Sequence, residues 1–116
     1  LFGDTVLGLN DFNAYLKEKG LNVIRLQVVP NPELSQLEIV KEFREFANKA
    51  GVPVDIISLE GYINASVFLD ILQKIKDDIT IDNVIKAVEG IKDYNFKGLK
   101  LNFDPQTRQL LHTVWF

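Results

Sequence analysis

Two prolines set the frame of this chain. Pro30 and Pro32 separate a β-rich apolar run, Asn22 to Val29, from a helical stretch that begins a few residues later. Neither proline can donate to a β-ladder, so a strand has to end there. The upstream run carries Val23, Ile24, Leu26, Val28 and Val29, a density of branched side chains that suits a strand. Downstream, Ser35 and Glu38 have the spacing of a capping box, in which each side chain satisfies an orphan amide of the first turn. Leu37, Val40, Phe43, Phe46 or Ala47, and Ala50 then recur at helical intervals, and Gly51 closes the helix.

The same alternation extends in both directions. Leu1-Phe2-Gly3 reads as the tail of a buried strand. A first helix is predicted from about Asp11 to Lys19, with Asn10 as N-cap and Gly20 beyond its end. Val54-Asp55-Ile56-Ile57 is a short apolar segment, a strand or an extended loop. A third helix is predicted from Leu59 to Lys76, with Leu59, Ile63, Val67, Ile71, Leu72 and Ile75 on its apolar stripe and Asn64, Asp70, Lys74 and Asp77 opposite. Thr80 caps a fourth helix that turns Ile81, Val84, Ile85 and Val88 inward, and Asp82 suits its positive end. Leu99, Leu101 and Phe103 alternate with Lys100 and Asn102, as in a half-buried strand. Asp104-Pro105-Gln106-Thr107 suits a type I turn, after which Leu110 to Phe116 returns antiparallel. These elements predict one domain over residues 1–116. Its expected fold is α/β, a layered sandwich with a mixed, mostly parallel sheet and a C-terminal β-hairpin.

Composition excludes several classes. With a net charge of −3 and no run of Lys or Arg, the chain lacks the clustered basic surface of a nucleic-acid binder. It has no cysteine, which excludes disulfides and thiolate metal sites. Its unbroken apolar runs are too short to insert in a membrane. No Gly-x-Gly-x-x-Gly or Walker A pattern is present, so no phosphate cradle is expected.

Catalytic signatures are equally thin. The single histidine, His112, has no second His or Cys to share a metal with, and reads as a partly buried strand residue. Phe43, Phe46 and Phe68 sit at core spacing. Asn64-Ala65-Ser66 matches the glycosylation sequon on a predicted helix. Two places carry more chemistry. Asp4-Thr5 follows the apolar Leu1-Phe2-Gly3, and ligands of open α/β sheets collect outside the carboxyl ends of strands. A carboxylate and a hydroxyl there suit an ammonium group; the alternative is a plain turn or helix cap. Ser58-Leu59-Glu60-Gly61-Tyr62 opens the third helix, where free amides favour an anionic group. Gly61 there permits a close approach of backbone or ligand, and the alternative is helix packing with Tyr62 in the core.

Read in order, Val28-Val29-Pro30-Asn31-Pro32, Glu60-Gly61-Tyr62 and Gly98-Leu99-Lys100-Leu101-Asn102-Phe103-Asp104 form a series. Together with the intervening helices it resembles the C-terminal part of the type I periplasmic binding proteins, the branched-chain amino acid and amide receptors of ABC transporters. Such receptors run to roughly three times this length. The resemblance therefore implies a partial lobe of the type I periplasmic binding fold, in a periplasmic or extracellular protein. It implies a small amino-acid-like or amide ligand, an ABC permease as partner, and no cofactor, covalent chemistry, nucleic acid or membrane insertion. It places ligand contacts at Asp4 and Thr5, and again near Ile57 and Ser58, while most contacts to an α-carboxylate come from the other lobe. Two alternatives share the pattern: a ligand-sensing domain of a signalling protein, and a free-standing small α/β interaction domain. A partial lobe leaves sheet edges and an apolar face uncovered, so self-association is expected.

Overall fold

A computed structural model describes residues 2–3 and 10–115. The elements run β1 (Phe2–Gly3), α1 (Asn10–Glu18), β2 (Ile24–Arg25), α2 (Glu38–Ala50), α3 (Ile56–Lys74), α4 (Ile81–Glu89), β3 (Tyr94–Phe96) and β4 (Leu99–Leu101). They divide into two compact units, residues 1–62 with 113–116, and residues 63–112. The predicted Leu1 lies outside the described residues.

The first unit starts with a strand–helix–strand crossover. β1 and β2 pair in parallel, Phe2 opposite Ile24 and Gly3 opposite Arg25, and α1 supplies the connection that parallel strands need. α1 ends in a Schellman motif: Leu21 N–H donates to Leu16 O and Gly20 N–H to Lys17 O, each at 3.0 Å. Beyond Arg25 the chain leaves the ladder. Gln27 pairs again, bonding Trp115 in both directions at 2.8 Å.

The entry to α2 differs from the predicted capping box. Asn31 Oδ1 accepts the amides of Glu33 and Leu34 at 2.9 and 3.0 Å, which folds Pro32–Leu34 into a turn. Ser35 Oγ is drawn to the Leu37 amide at 3.3 Å, and Leu37 itself is the N-cap, without a side-chain cap bond. Arg44 holds this loop, donating to Pro32 O and Ser35 O at 2.9 Å each. The core of the unit is Val29, Ile39, Val40, Phe43, Ala47, Ile56 and Leu59, all buried. Tyr62 packs on Phe43 and Phe46 with ring centroids 5.5 Å apart. Phe46 remains 49% exposed, so of the pair predicted at that turn it is Ala47 that faces the core.

α3 begins three residues before its predicted start. Asp55 Oδ1 accepts the Ser58 amide at 2.8 Å, so Asp55 caps the helix and winds Ile56 and Ile57 into its first turn. In the second unit, Ile63, Ile71, Phe96, Leu99, Leu101 and Phe103 are buried. Thr80 caps α4 as predicted, accepting the Asn83 amide at 3.2 Å. Ile81, predicted inward, is 80% exposed, and Phe68, predicted in the core, is 51% exposed. β3 and β4 form a tight hairpin through Lys97 (φ 48°) and Gly98 (φ 93°), the two positive φ values of a type I′ turn.

The expected mostly parallel α/β sandwich, and with it the partial lobe of the type I fold, is overturned. Four helices carry the described structure, and the strands form only a two-residue parallel pair and a separate three-residue antiparallel hairpin. Two local events account for the difference. Asp55 converts a candidate strand into helix, and among the described residues the parallel ladder stops at Gly3 and Arg25. The C-terminal hairpin is also displaced: its tight turn lies at 97–98, one strand earlier than predicted. The predicted return after Asp104-Pro105 is reduced to the bridges Asp104–Gln109 and Gln27–Trp115.

Candidate functional site

Arg25 and Gln27 interrupt an otherwise apolar run at alternate positions, so they fall on one face of the extended chain. That face turns inward: Gln27 is 8% exposed and donates through Nε2 to Val29 O at 2.9 Å. Arg25 reaches α1, where one terminal nitrogen donates to Asn13 Oδ1. Asn31, in the loop after β2, and Asp55, at the start of α3, complete the wall of a polar hollow of about 160 Å³. The hollow lies at the carboxyl end of β2, the kind of position where α/β units collect ligands. Its wall is rich in amide, guanidinium and carboxylate groups and contains no nucleophile paired with a base.

Among the described residues, neither Ile57 nor Ser58 of the predicted site lines this cleft. Asp4 and Thr5 lie outside the described residues. Ile57 and Ser58 follow directly on Asp55 and Ile56, which line the cleft. Ile57 is 42% exposed. The Ser58 amide is taken by Asp55 and its carbonyl belongs to the helix ladder of α3, so neither backbone group is free for a ligand. Arg25, Asn13 and Asn31 were not among the predicted residues. The signal that points to Arg25 and Gln27 is their i, i+2 spacing within an apolar strand. Gly61 is exposed, and a methyl added there would meet nothing within 4 Å, so the close approach expected at this residue does not occur.

Two further hollows belong to the second unit. One, of about 280 Å³, is bordered by Asp70, Lys74 and Tyr94. Lys74 Nζ sits 2.9 Å from Asp70 Oδ2 and 3.5 Å above the Tyr94 ring, and the Tyr94 hydroxyl donates to Asp70 at 3.0 Å. Burial pulls the Lys74 pKa down, but the Tyr94 and Asp70 contacts outweigh it and hold it above its ordinary value. The ammonium therefore stays charged at neutral pH, and these groups satisfy one another. The other hollow, about 360 Å³, is an apolar groove between Phe68, Leu72 and the start of α4.

His112, expected within a strand, is exposed, with Nε2 3.1 Å from Asn102 O. Among the described residues no group of three His, Cys, Asp or Glu side chains is placed to hold a metal. No described helix is long and apolar enough to cross a membrane. Comparison of the chain with models of protein families, with characterised proteins and with solved structures returns no match.

Proposed function

We propose that this chain is a segment of an extracytoplasmic solute-binding receptor that takes a small amino-acid-like or amide ligand and delivers it to an ABC-type permease. The observation that carries the reading is the polar cleft at the carboxyl end of β2. Its side chains are suited to holding a small polar molecule by hydrogen bonds and charge, and none of them is set up to break a bond. The ordered motif series of the sequence adds to this.

Support for a larger whole comes from the face of the β2 segment opposite Arg25 and Gln27. Ile24, Leu26 and Val28 are 55%, 47% and 49% exposed. Parallel strands are ordinarily covered on both faces, so further polypeptide is needed to bury these side chains. In the full receptor, hinge closure over the ligand then generates the state that the permease recognises.

The test uses the polypeptide as its source cell makes it. Its intact mass and cell fraction are determined, and its melting midpoint is measured against a panel of free amino acids and short amides. The expected result is an exported protein longer than 116 residues whose midpoint rises with at least one compound, as native-state binding requires. A cytoplasmic product of this length with a midpoint that no compound moves overturns the proposal.

A further inference from the structure

The cation of the cleft distinguishes between the two ligand chemistries left open above. We propose that Arg25 anchors a carboxylate, so that the ligand is a free acid and not a neutral amide; this rests on the ligand-binding reading of the same cleft. The guanidinium is a planar fork of N–H donors that is charged at every physiological pH. One terminal nitrogen is occupied by Asn13 Oδ1. The Nε–H is shielded from solvent and has no hydrogen-bond partner. Among the described residues no carboxylate lies within ion-pair distance of Arg25.

A buried donor without an acceptor is uncommon in a folded protein and destabilises it. A carboxylate presents two coplanar oxygens that match the fork with charge-assisted bonds, whereas an amide presents one neutral oxygen. A phosphate is a poorer occupant. The carboxylates of Asp55 and Glu33 border the same hollow and repel any anion, a doubly charged phosphate more than a singly charged carboxylate. Asn13 is then a positioning residue: it fixes the guanidinium before the ligand arrives, and Asn10 and Asn31 offer amides to the remainder of a small polar molecule.

The experiment is titration calorimetry on the polypeptide as its source cell makes it. The probes are the common amino acids, each as free acid and as C-terminal amide, with acetate and acetamide as the minimal pair. The expected result is that the acids bind and the matching amides bind about tenfold more weakly or worse. Arg25→Gln abolishes the difference, and its melting midpoint without ligand shows whether the fold persists. Should that variant not fold, the acid–amide comparison on the unaltered protein still decides. Amides that bind as well as acids overturn the role of Arg25 and leave the receptor reading standing, as does acid binding unchanged in a folded Arg25→Gln protein. Acid binding that depends on Arg25, in a protein that is not exported, supports this inference and overturns the receptor reading. Binding of no probe overturns both.

Discussion

At Gly61 the backbone is helical and exposed, and an added Cβ would meet nothing within 4 Å. Gly61→Ala therefore removes only the entropic cost of glycine in a helix, and the melting midpoint should rise by the equivalent of about 0.5–1 kcal/mol. Gly51 has the opposite sign. It terminates α2 at φ +70°, so Gly51→Ala should lower stability by about 1 kcal/mol although its Cβ would also meet open space. Comparing the two by thermal unfolding separates backbone conformation from packing. Asp104 supplies a pH dependence. The Gln106 amide first, then the Thr107 hydroxyl, hold its carboxyl below the ordinary value against a smaller opposing effect of burial, with the Thr107 amide and His112 adding to the depression. A depressed carboxylate stabilises the fold fully above its unfolded value of about 4 and loses that contribution as pH falls through the folded one. Acid unfolding should therefore begin in that window, and Asp104→Asn should flatten it. A variant whose acid limb superimposes on that of the parent would exclude Asp104 as a contributor.

The elements show where sequence signals suffice and where they compete. α4 was legible from Thr80 and Asp82, because the cap and first turn are local chemistry, but its inward stripe was not: Ile81 and Ile85 are both exposed. The start of α3 was not, because Val54, Ile56 and Ile57 have strand-like side chains and the one residue that decides the matter is Asp55. Removing that cap by Asp55→Ala should cost about 1 kcal/mol and increase amide exchange in the first turn of α3 before the rest of the helix responds. Unchanged exchange at Ile57 and Ser58 would show that packing of Ile56 and Leu59 alone sets the helix start. The β3–β4 hairpin was half legible. The buried alternation of Leu99, Leu101 and Phe103 was correct, but the turn was assigned to Asp104-Pro105. Asn95 Oδ1, which accepts the Gly98 amide at 2.9 Å, stabilises the tighter turn upstream, a local contact that competes with the Asp-Pro signal. Ser35 failed as a cap for a similar reason: Asn31 and Arg44 organise the loop first.

For the molecule as a whole, the sheet was the least legible feature. Apolar side chains on both faces of Asn22–Val29 indicate a strand that is covered twice, and periodicity gives no information on which chain supplies the cover. Within the described residues one face is buried and Ile24, Leu26 and Val28 remain open. The composition of the cleft was not legible, since Arg25 and Gln27 reveal their shared face only after the strand is known to be extended. Exposed apolar side chains in an extended segment favour association. The isolated chain should accordingly sediment faster as its concentration rises. Leu26→Lys should suppress this while changing stability by no more than about 0.5 kcal/mol, as for an exposed site. A single concentration-independent boundary for the parent chain would show that the face needs no cover.

The antiparallel bridge between Gln27 and Trp115 gives the molecule an optical handle. Trp115 is the sole tryptophan of the chain, and its backbone is bonded in both directions to a residue that also borders the cleft. Indole fluorescence therefore originates one hydrogen-bonded pair away from the binding groups. Detachment of the C-terminal segment breaks that pair, so emission of the unlabelled protein is expected to report it.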